Sequence, residues 1–180
     1  MCIRDRSLTD SPDKRKTMYF PKFDWPRVTN PKITFPLEEN LDHIVELESK
    51  AIAEIKDAIN ANPDNIASII IEPIQGEGGD NHFRCEFMQA LRQIADENDI
   101  ILIYDEVQTG VGITGQMWCH QSFTPKNCQC TCEDASTAPD VIAFGKKTQV
   151  CGIFASKRLD EVDDHVFHES SRINSTWGGS

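Results

Sequence analysis

Asp105 and Lys146 are the two residues of this sequence whose type and setting most directly suggest chemistry. Asp105 follows the apolar run Ile100-Ile101-Leu102-Ile103-Tyr104 and precedes Glu106; Lys146 follows Val141-Ile142-Ala143-Phe144 and Gly145 and precedes Lys147. A third apolar run, residues 66–71, ends at Glu72-Pro73 and opens into Gln75-Gly76-Glu77-Gly78-Gly79-Asp80. Short β-branched runs of this kind read as buried strands. In open α/β sheets, ligands bind outside the carboxyl ends of the strands. The three runs therefore deliver carboxylates and amines to one edge. That combination suits a pyridine-aldehyde cofactor. The acid keeps the ring nitrogen protonated, so that the ring can accept electrons, and the amine condenses with the aldehyde.

The elements that must position these residues are also visible. Residues 40–60 carry Leu41, Ile44, Val45, Ala51, Ile52, Ile55 and Ile59, mostly three and four apart, which predicts an amphipathic helix. Glu48 interrupts its apolar face, and Asn62-Pro63-Asp64-Asn65 ends it. Residues 85–97 set Phe87, Leu91 and Ile94 on one face of a second helix. The order strand, helix, strand, loop, strand predicts an α/β fold with a mostly parallel sheet. Before this core, residues 7–37 contain Pro21, Pro26, Pro31 and Pro36, which forbid a continuous helix. An extended surface segment pinned by its aromatics is expected there.

Composition limits the function classes. The 180 residues are 39% hydrophobic and 26% charged, which reads as one globular domain rather than a disordered chain. Asp and Glu number 29 against 18 Lys and Arg, a formal charge of -11, which argues against nucleic acid as a partner. No apolar run is long enough to span a bilayer, so no membrane partner is expected. No apolar leader follows Met1–Arg6, and the seven cysteines are odd in number; free thiols in a reducing cytoplasm are expected.

Several stretches together resemble the class III aminotransferases. They are Glu72-Pro73-Ile74-Gln75-Gly76-Glu77-Gly78-Gly79, Asp105-Glu106-Val107-Gln108-Thr109-Gly110, and Ala138-Pro139-Asp140 leading to Phe144-Gly145-Lys146. Within the class, the chain is most similar to the L-lysine 6-transaminase branch. That similarity is carried by residues 19–26, Asp80-Asn81-His82-Phe83-Arg84, residues 145–152 and Asn174-Ser175-Thr176-Trp177-Gly178-Gly179. The resemblance implies pyridoxal 5'-phosphate as cofactor and a fold-type I large domain, an α/β/α sandwich. It implies transfer of the ε-amino group of L-lysine to 2-oxoglutarate, giving 2-aminoadipate 6-semialdehyde and L-glutamate. Asp105 would hold the pyridinium nitrogen and Lys146 would carry the cofactor covalently. Val107 would pack on the ring face and Gln108 would bond the ring's phenolic oxygen. Thr176 would reach the cofactor phosphate of a neighbouring subunit, implying a homodimer. Glu77 would be a substrate-binding switch. The family's phosphate loop and substrate arginines have no counterpart here. Residues 7–180 are therefore expected to form part of a large domain, with an N-terminal part and a C-terminal small domain missing. Residues 1–6 fit nothing in the family, and this chain alone is expected to be inactive.

Other readings were open. Ornithine and 4-aminobutyrate enzymes share the core motifs. Lys147 is the rival covalent lysine. A strand ending in Asp-Glu also suits a P-loop NTPase, but Gly145-Lys146 is followed by Lys147 and Asp140 stands where the first glycine is needed. Cys128, Cys130 and Cys132, with Cys119 and His120, suggest a metal-binding or interaction module. Their spacing is tighter than zinc sites usually show, and no metal ligand is expected.

Overall fold

The computed structural model describes residues 8, 13–19, 21–77, 79–123, 136–166, 168–170 and 172. Thr176, Gly78, Phe20, residues 1–6 and the Cys128, Cys130 and Cys132 connector lie outside them. Among the described residues, two α-helices, α1 (Leu37–Ala61) and α2 (Cys85–Glu97), accompany six strands. These are β1 (Ser68–Ile71), β2 (Ile74–Gln75), β3 (Asn81–His82), β4 (Ile101–Asp105), β5 (Val141–Phe144) and β6 (Gly152–Ala155). The main sheet runs β1-β4-β5-β6. β1, β4 and β5 are parallel, and β6 joins β5 antiparallel. The expected α/β fold with a mostly parallel sheet is present.

The three predicted strands are found, each within a residue or two of its expected end. Alternation along β4 explains the core. Leu102 and Tyr104 are fully buried, while Ile101, Ile103 and Asp105 face the other side and are only partly covered. Leu102 and Tyr104 join Phe83, Phe87, Met88, Leu91 and Ile94 and, from α1, Ala51 and Ile55. Both helices therefore cover one sheet face.

Helix α1 buries the expected face and departs from expectation only at its margin. Its buried set is Ile44, Glu48, Ala51 and Ile55, whereas Leu41 and Val45 are exposed. Glu48 is tolerated inside because Arg84 Nε donates to its Oε1 at 3.0 Å. Burial still pushes the Glu48 carboxyl up, against the offsetting charge of Arg84.

The N-terminal segment is extended from residue 21 onward, as expected, but its aromatics do not pin it. Tyr19 is 84% exposed, and Phe23 and Trp25 stack on each other at 5.0 Å while both remain exposed. Polar bonds hold the segment instead. Thr29 Oγ1 donates to Glu54, Asn30 Nδ2 to Gln75, and Ile33 N to the His82 carbonyl. Pro31 is fully buried beside them.

Asp140 explains the Ala-Pro-Asp motif ahead of β5. Its N–H donates to Leu102 O, its Oδ2 accepts from Leu102 N at 2.8 Å, and its carbonyl accepts from Ser156 N. One residue thus ties β4, β5 and the end of β6. Arg92 from α2 donates to the same Oδ2 at 2.9 Å. Asp140→Asn keeps one acceptor but removes the charge facing a buried guanidinium. It is expected to lower stability by about 2 kcal/mol. Urea unfolding checks this; an unchanged midpoint would remove Asp140 as the staple.

Candidate functional site

At the carboxyl edge of the parallel strands, three loops converge. β4 ends in Asp105, whose ladder partner on β5 is Ala143. Lys146 stands three residues beyond Ala143, a span of roughly 10 Å at most. Its Nζ donates to Gln108 Oε1 at 2.8 Å, joining the loop after β5 to the loop after β4. The third loop, after β1, closes from the other side. An added Cβ on Gly76 would meet the Gln108 side chain at 3.5 Å. Lys146, Gln108 and Gly76 are therefore neighbours, though 32 to 70 residues apart in sequence.

The acidic side of this edge holds Asp105 and Glu72. Burial pushes the Glu72 carboxyl above its ordinary range, and the nearby charge of Asp105 pushes it further. Asp105 Oδ1 accepts the Val107 N–H at 3.0 Å, which turns the chain out of the strand. Val107 is half-buried at that turn.

Gly145 lets the loop after β5 pass close to its own return. A Cβ there would lie 2.7 Å from Cys151 Sγ. Gly110 plays the same part after β4: a Cβ would lie 2.6 Å from the Trp118 ring and 2.9 Å from the Glu106 carbonyl oxygen. Trp118 in turn packs with Phe144 and Phe154, at ring distances of 6.0 and 5.7 Å. The two lysine- and aspartate-bearing loops thus rest on one aromatic cluster.

Glu106 belongs to a different role from its neighbour. It is 1% exposed, on the Tyr104 side of the sheet. Its carboxylate accepts from Cys119 N at 2.6 Å and from His120 N at 3.1 Å, and bonds His120 Nδ1 at 2.9 Å. Thr109 Oγ1 donates to it as well. Cys119 sits in the same enclosure, where burial and then the Glu106 charge push its thiol up to about 12. Sequence reading grouped Glu106 with Asp105 at the edge. Strand alternation was the signal that separates them, because adjacent residues face opposite sides.

The structure therefore brings together Asp105, Val107, Gln108 and Lys146. Glu77 stands apart from them in its contacts. It is exposed in the turn between β2 and β3 and pairs with Lys16. Sequence reading saw only a Gly-rich loop there. The observed hairpin is held by Asn81 and Asn30, which both donate to Gln75 Oε1. Glu72 and Gly76, which belong to the same motif as Glu77, border the cluster.

These donors fit a pyridine-aldehyde cofactor. A carboxylate, an amide and an amine converge at one edge, and a glycine leaves room beside them. Comparison with known proteins agrees with that chemistry. The family profile described as aminotransferase class-III matches residues 6–180. The chain is 49% identical over 164 residues to L-lysine-epsilon aminotransferase of Mycobacterium tuberculosis, covering 91% of this chain and 33% of that one. It is 40% identical over 134 residues to 4-aminobutyrate aminotransferase of Emericella nidulans, covering 74% and 25%. The solved structure of lysine aminotransferase from M. tuberculosis in the internal aldimine form superposes with a TM-score of 0.85 at 47% identity, covering 98% of this chain and 37% of that one. The match thus spans a quarter to a third of the length of these curated relatives. With the profile matched along nearly its whole length and its carboxylate, amide and amine gathered at one strand edge, this chain belongs to the class III aminotransferases.

Proposed function

We propose that this chain is part of a lysine ε-aminotransferase that uses pyridoxal 5'-phosphate to move the ε-amino group of L-lysine to 2-oxoglutarate. The observation that carries the reading is the Lys146 Nζ to Gln108 Oε1 bond at 2.8 Å, which sets an amine beside the Asp105 loop. The greater identity to the lysine enzyme than to the 4-aminobutyrate enzyme supports the donor. Pyridoxal 5'-phosphate, when bound, supplies an aldehyde for amine capture and a ring that takes up electrons.

The residues of this chain would do the rest. The Asp105 carboxylate would accept a hydrogen bond from the ring N–H and hold the proton there. Lys146 Nζ would hold the cofactor covalently and, when released, carry the proton between substrate carbon and cofactor carbon. Val107 would cover one ring face. Gln108, now bonded to Lys146, would orient that amine and reach the ring's phenolic oxygen. Thr176 would meet the phosphate in a partner subunit of a homodimer. Glu77, which pairs here with Lys16, would pair with a substrate-binding cation in the lysine step and release it in the 2-oxoglutarate step. A permanent arginine would be left buried and unpaired when lysine enters, which is costly. Residues 7–180 would be part of the cofactor-binding large domain of a cytoplasmic enzyme. Among the described residues, no helix is long and apolar enough to cross a membrane.

The test is donor preference of the full-length protein, with lysine, ornithine and 4-aminobutyrate each supplied with 2-oxoglutarate. Lysine is expected to give the highest kcat/KM. A higher value for ornithine or 4-aminobutyrate would reassign the donor within the class. With each half-reaction followed separately by stopped flow, Glu77→Ala is expected to slow the lysine half-reaction more than the 2-oxoglutarate half-reaction. Equal losses would remove Glu77 from the switch.

A further inference from the structure

Beyond β6, a second set of chemistry-bearing side chains comes together, unconnected with the edge described above. Asp160, His165 and His168 each offer a ligand atom, and these atoms all lie within 4.8 Å of one another. We propose that these three residues bind a divalent transition-metal ion of the zinc type.

The geometry is close to what such an ion needs. Zinc bound at about 2.0–2.1 Å in a tetrahedron sets neighbouring ligand atoms roughly 3.3 Å apart. His165 Nε2 and Asp160 Oδ1 are already 3.5 Å apart. The remaining ligand atom, on exposed His168, needs to move by roughly 1.5 Å at most to complete three contacts. The two imidazole rings lie with centroids 3.7 Å apart, nearer than the roughly 5 Å of two rings on one tetrahedral ion, so binding must swing the exposed His168 ring outward. His168 N donates to the His165 carbonyl at 2.9 Å. That bond keeps the two histidines together. Two imidazoles and one carboxylate suit a borderline ion of the zinc, cobalt or nickel kind, whereas calcium and magnesium favour all-oxygen sets. Three protein ligands leave the fourth position to water.

The site rests on a firm support and carries the right charge. Asp160 lies in the 3-10 turn Lys157–Glu161. Ser156 starts that turn by accepting from Arg158 N, and its own N–H donates to the Asp140 carbonyl at 2.7 Å. The turn is thereby tied to the residue that staples the sheet. Residues 160–170 contain Asp160, Glu161, Asp163, Asp164 and Glu169 and no Lys or Arg. Of the nearby arginines, Arg158 pairs with Asp96, Asp99 and Asp140 outside this stretch, and Arg172 pairs with Glu169 within it. An added cation meets a field of the opposite sign. The bound ion clamps His165 and His168 to the 3-10 turn and so to the sheet edge.

The rival ligands in the sequence are Cys128, Cys130 and Cys132, so the test separates the two. The full chain is freed of metal with chelator and titrated with zinc chloride by calorimetry, and separately with cobalt chloride by absorption. A variant with all three cysteines changed to serine is expected to bind one equivalent of zinc as tightly as the parent. Its cobalt spectrum is expected to lack the near-ultraviolet sulfur charge-transfer band. H165Q with H168Q is expected to weaken zinc binding by more than about a hundredfold. Zinc is expected to raise the melting temperature of the parent and not of that double variant. Equal zinc binding by the histidine variant, or loss of binding in the serine variant, overturns the site. Equal thermal shifts in parent and histidine variant overturn it too.

Discussion

Lys146→Ala in the full-length protein is expected to leave no cofactor fixed to the chain after borohydride reduction, whereas Lys147→Ala retains it. The two lysines are adjacent and both exposed, so sequence alone left them as rivals. The structure separates them by their contacts. Lys146 Nζ bonds Gln108, three residues past Asp105, while no hydrogen bond from Lys147 Nζ is found among the described residues. An amine that attaches a cofactor must share the pocket of the carboxylate that holds the cofactor's ring. Only Lys146 is tied to the Asp105 loop. Losing a positioned base alone costs about 10²–10⁴ in rate, and losing the covalent attachment as well should take activity to background. Asp105→Ala is expected to retain attachment while slowing turnover by roughly a hundredfold, equivalent to about 3 kcal/mol of transition-state stabilisation. Peptide mapping after reduction reads the attachment point directly. Cofactor found on Lys147 would reverse the assignment.

What could be read from sequence follows the range over which each interaction acts. β1, β4 and β5 were legible because each is a short β-branched run bounded by polar or glycine residues, a local signal. Helix α2 was legible for the same reason: Phe87, Leu91 and Ile94 repeat with its period. The buried face of α1 was legible from Ile44, Ala51 and Ile55, with Glu48 on it, but the exposure of Leu41 and Val45 was not. What sequence did not show is why Glu48 is tolerated there: Arg84, 36 residues away, supplies the partner of the buried carboxylate. The β2–β3 hairpin was hidden because its side chains are polar, and their bonds run among Gln75, Asn81 and Asn30 rather than through an apolar pattern. β6 carries Phe154 half-exposed and pairs antiparallel, so neither burial nor crossover order announced it. At the candidate site, Asp105 and Lys146 were visible from strand ends alone. The bond that joins their loops depends on Gln108, whose sequence signal is only its place in a motif.

Glu106→Ala is expected to cost more stability than any other single change at this edge, about 3–5 kcal/mol. Glu106 is buried, and its two oxygens serve four groups from the 106–120 loop: Thr109 Oγ1, Cys119 N, His120 N and His120 Nδ1. Truncation leaves the buried Cys119 N–H, at about 1–3 kcal/mol, and the part-buried His120 N–H and imidazole without this acceptor, and opens a cavity beside Tyr104. Tyr104 has no slack to fill it, because it is itself fully buried and its hydroxyl finds no partner among the described residues. Against a typical total of about 5–15 kcal/mol, that loss brings the fold near its limit. Glu106→Gln separates shape from charge. It keeps the volume and one acceptor oxygen, but its amide N–H₂ must face Cys119 N or His120 N. An intermediate loss of about 2 kcal/mol is expected. Because Gly110 N donates to the Glu106 carbonyl and Val111 N to Met117 O, the loop that carries Gln108 should loosen with it. Urea unfolding with tryptophan fluorescence measures the loss, with Trp118 in the loop as one reporter. A Glu106→Ala midpoint within error of the parent would show that the 106–120 loop is held by something other than this carboxylate.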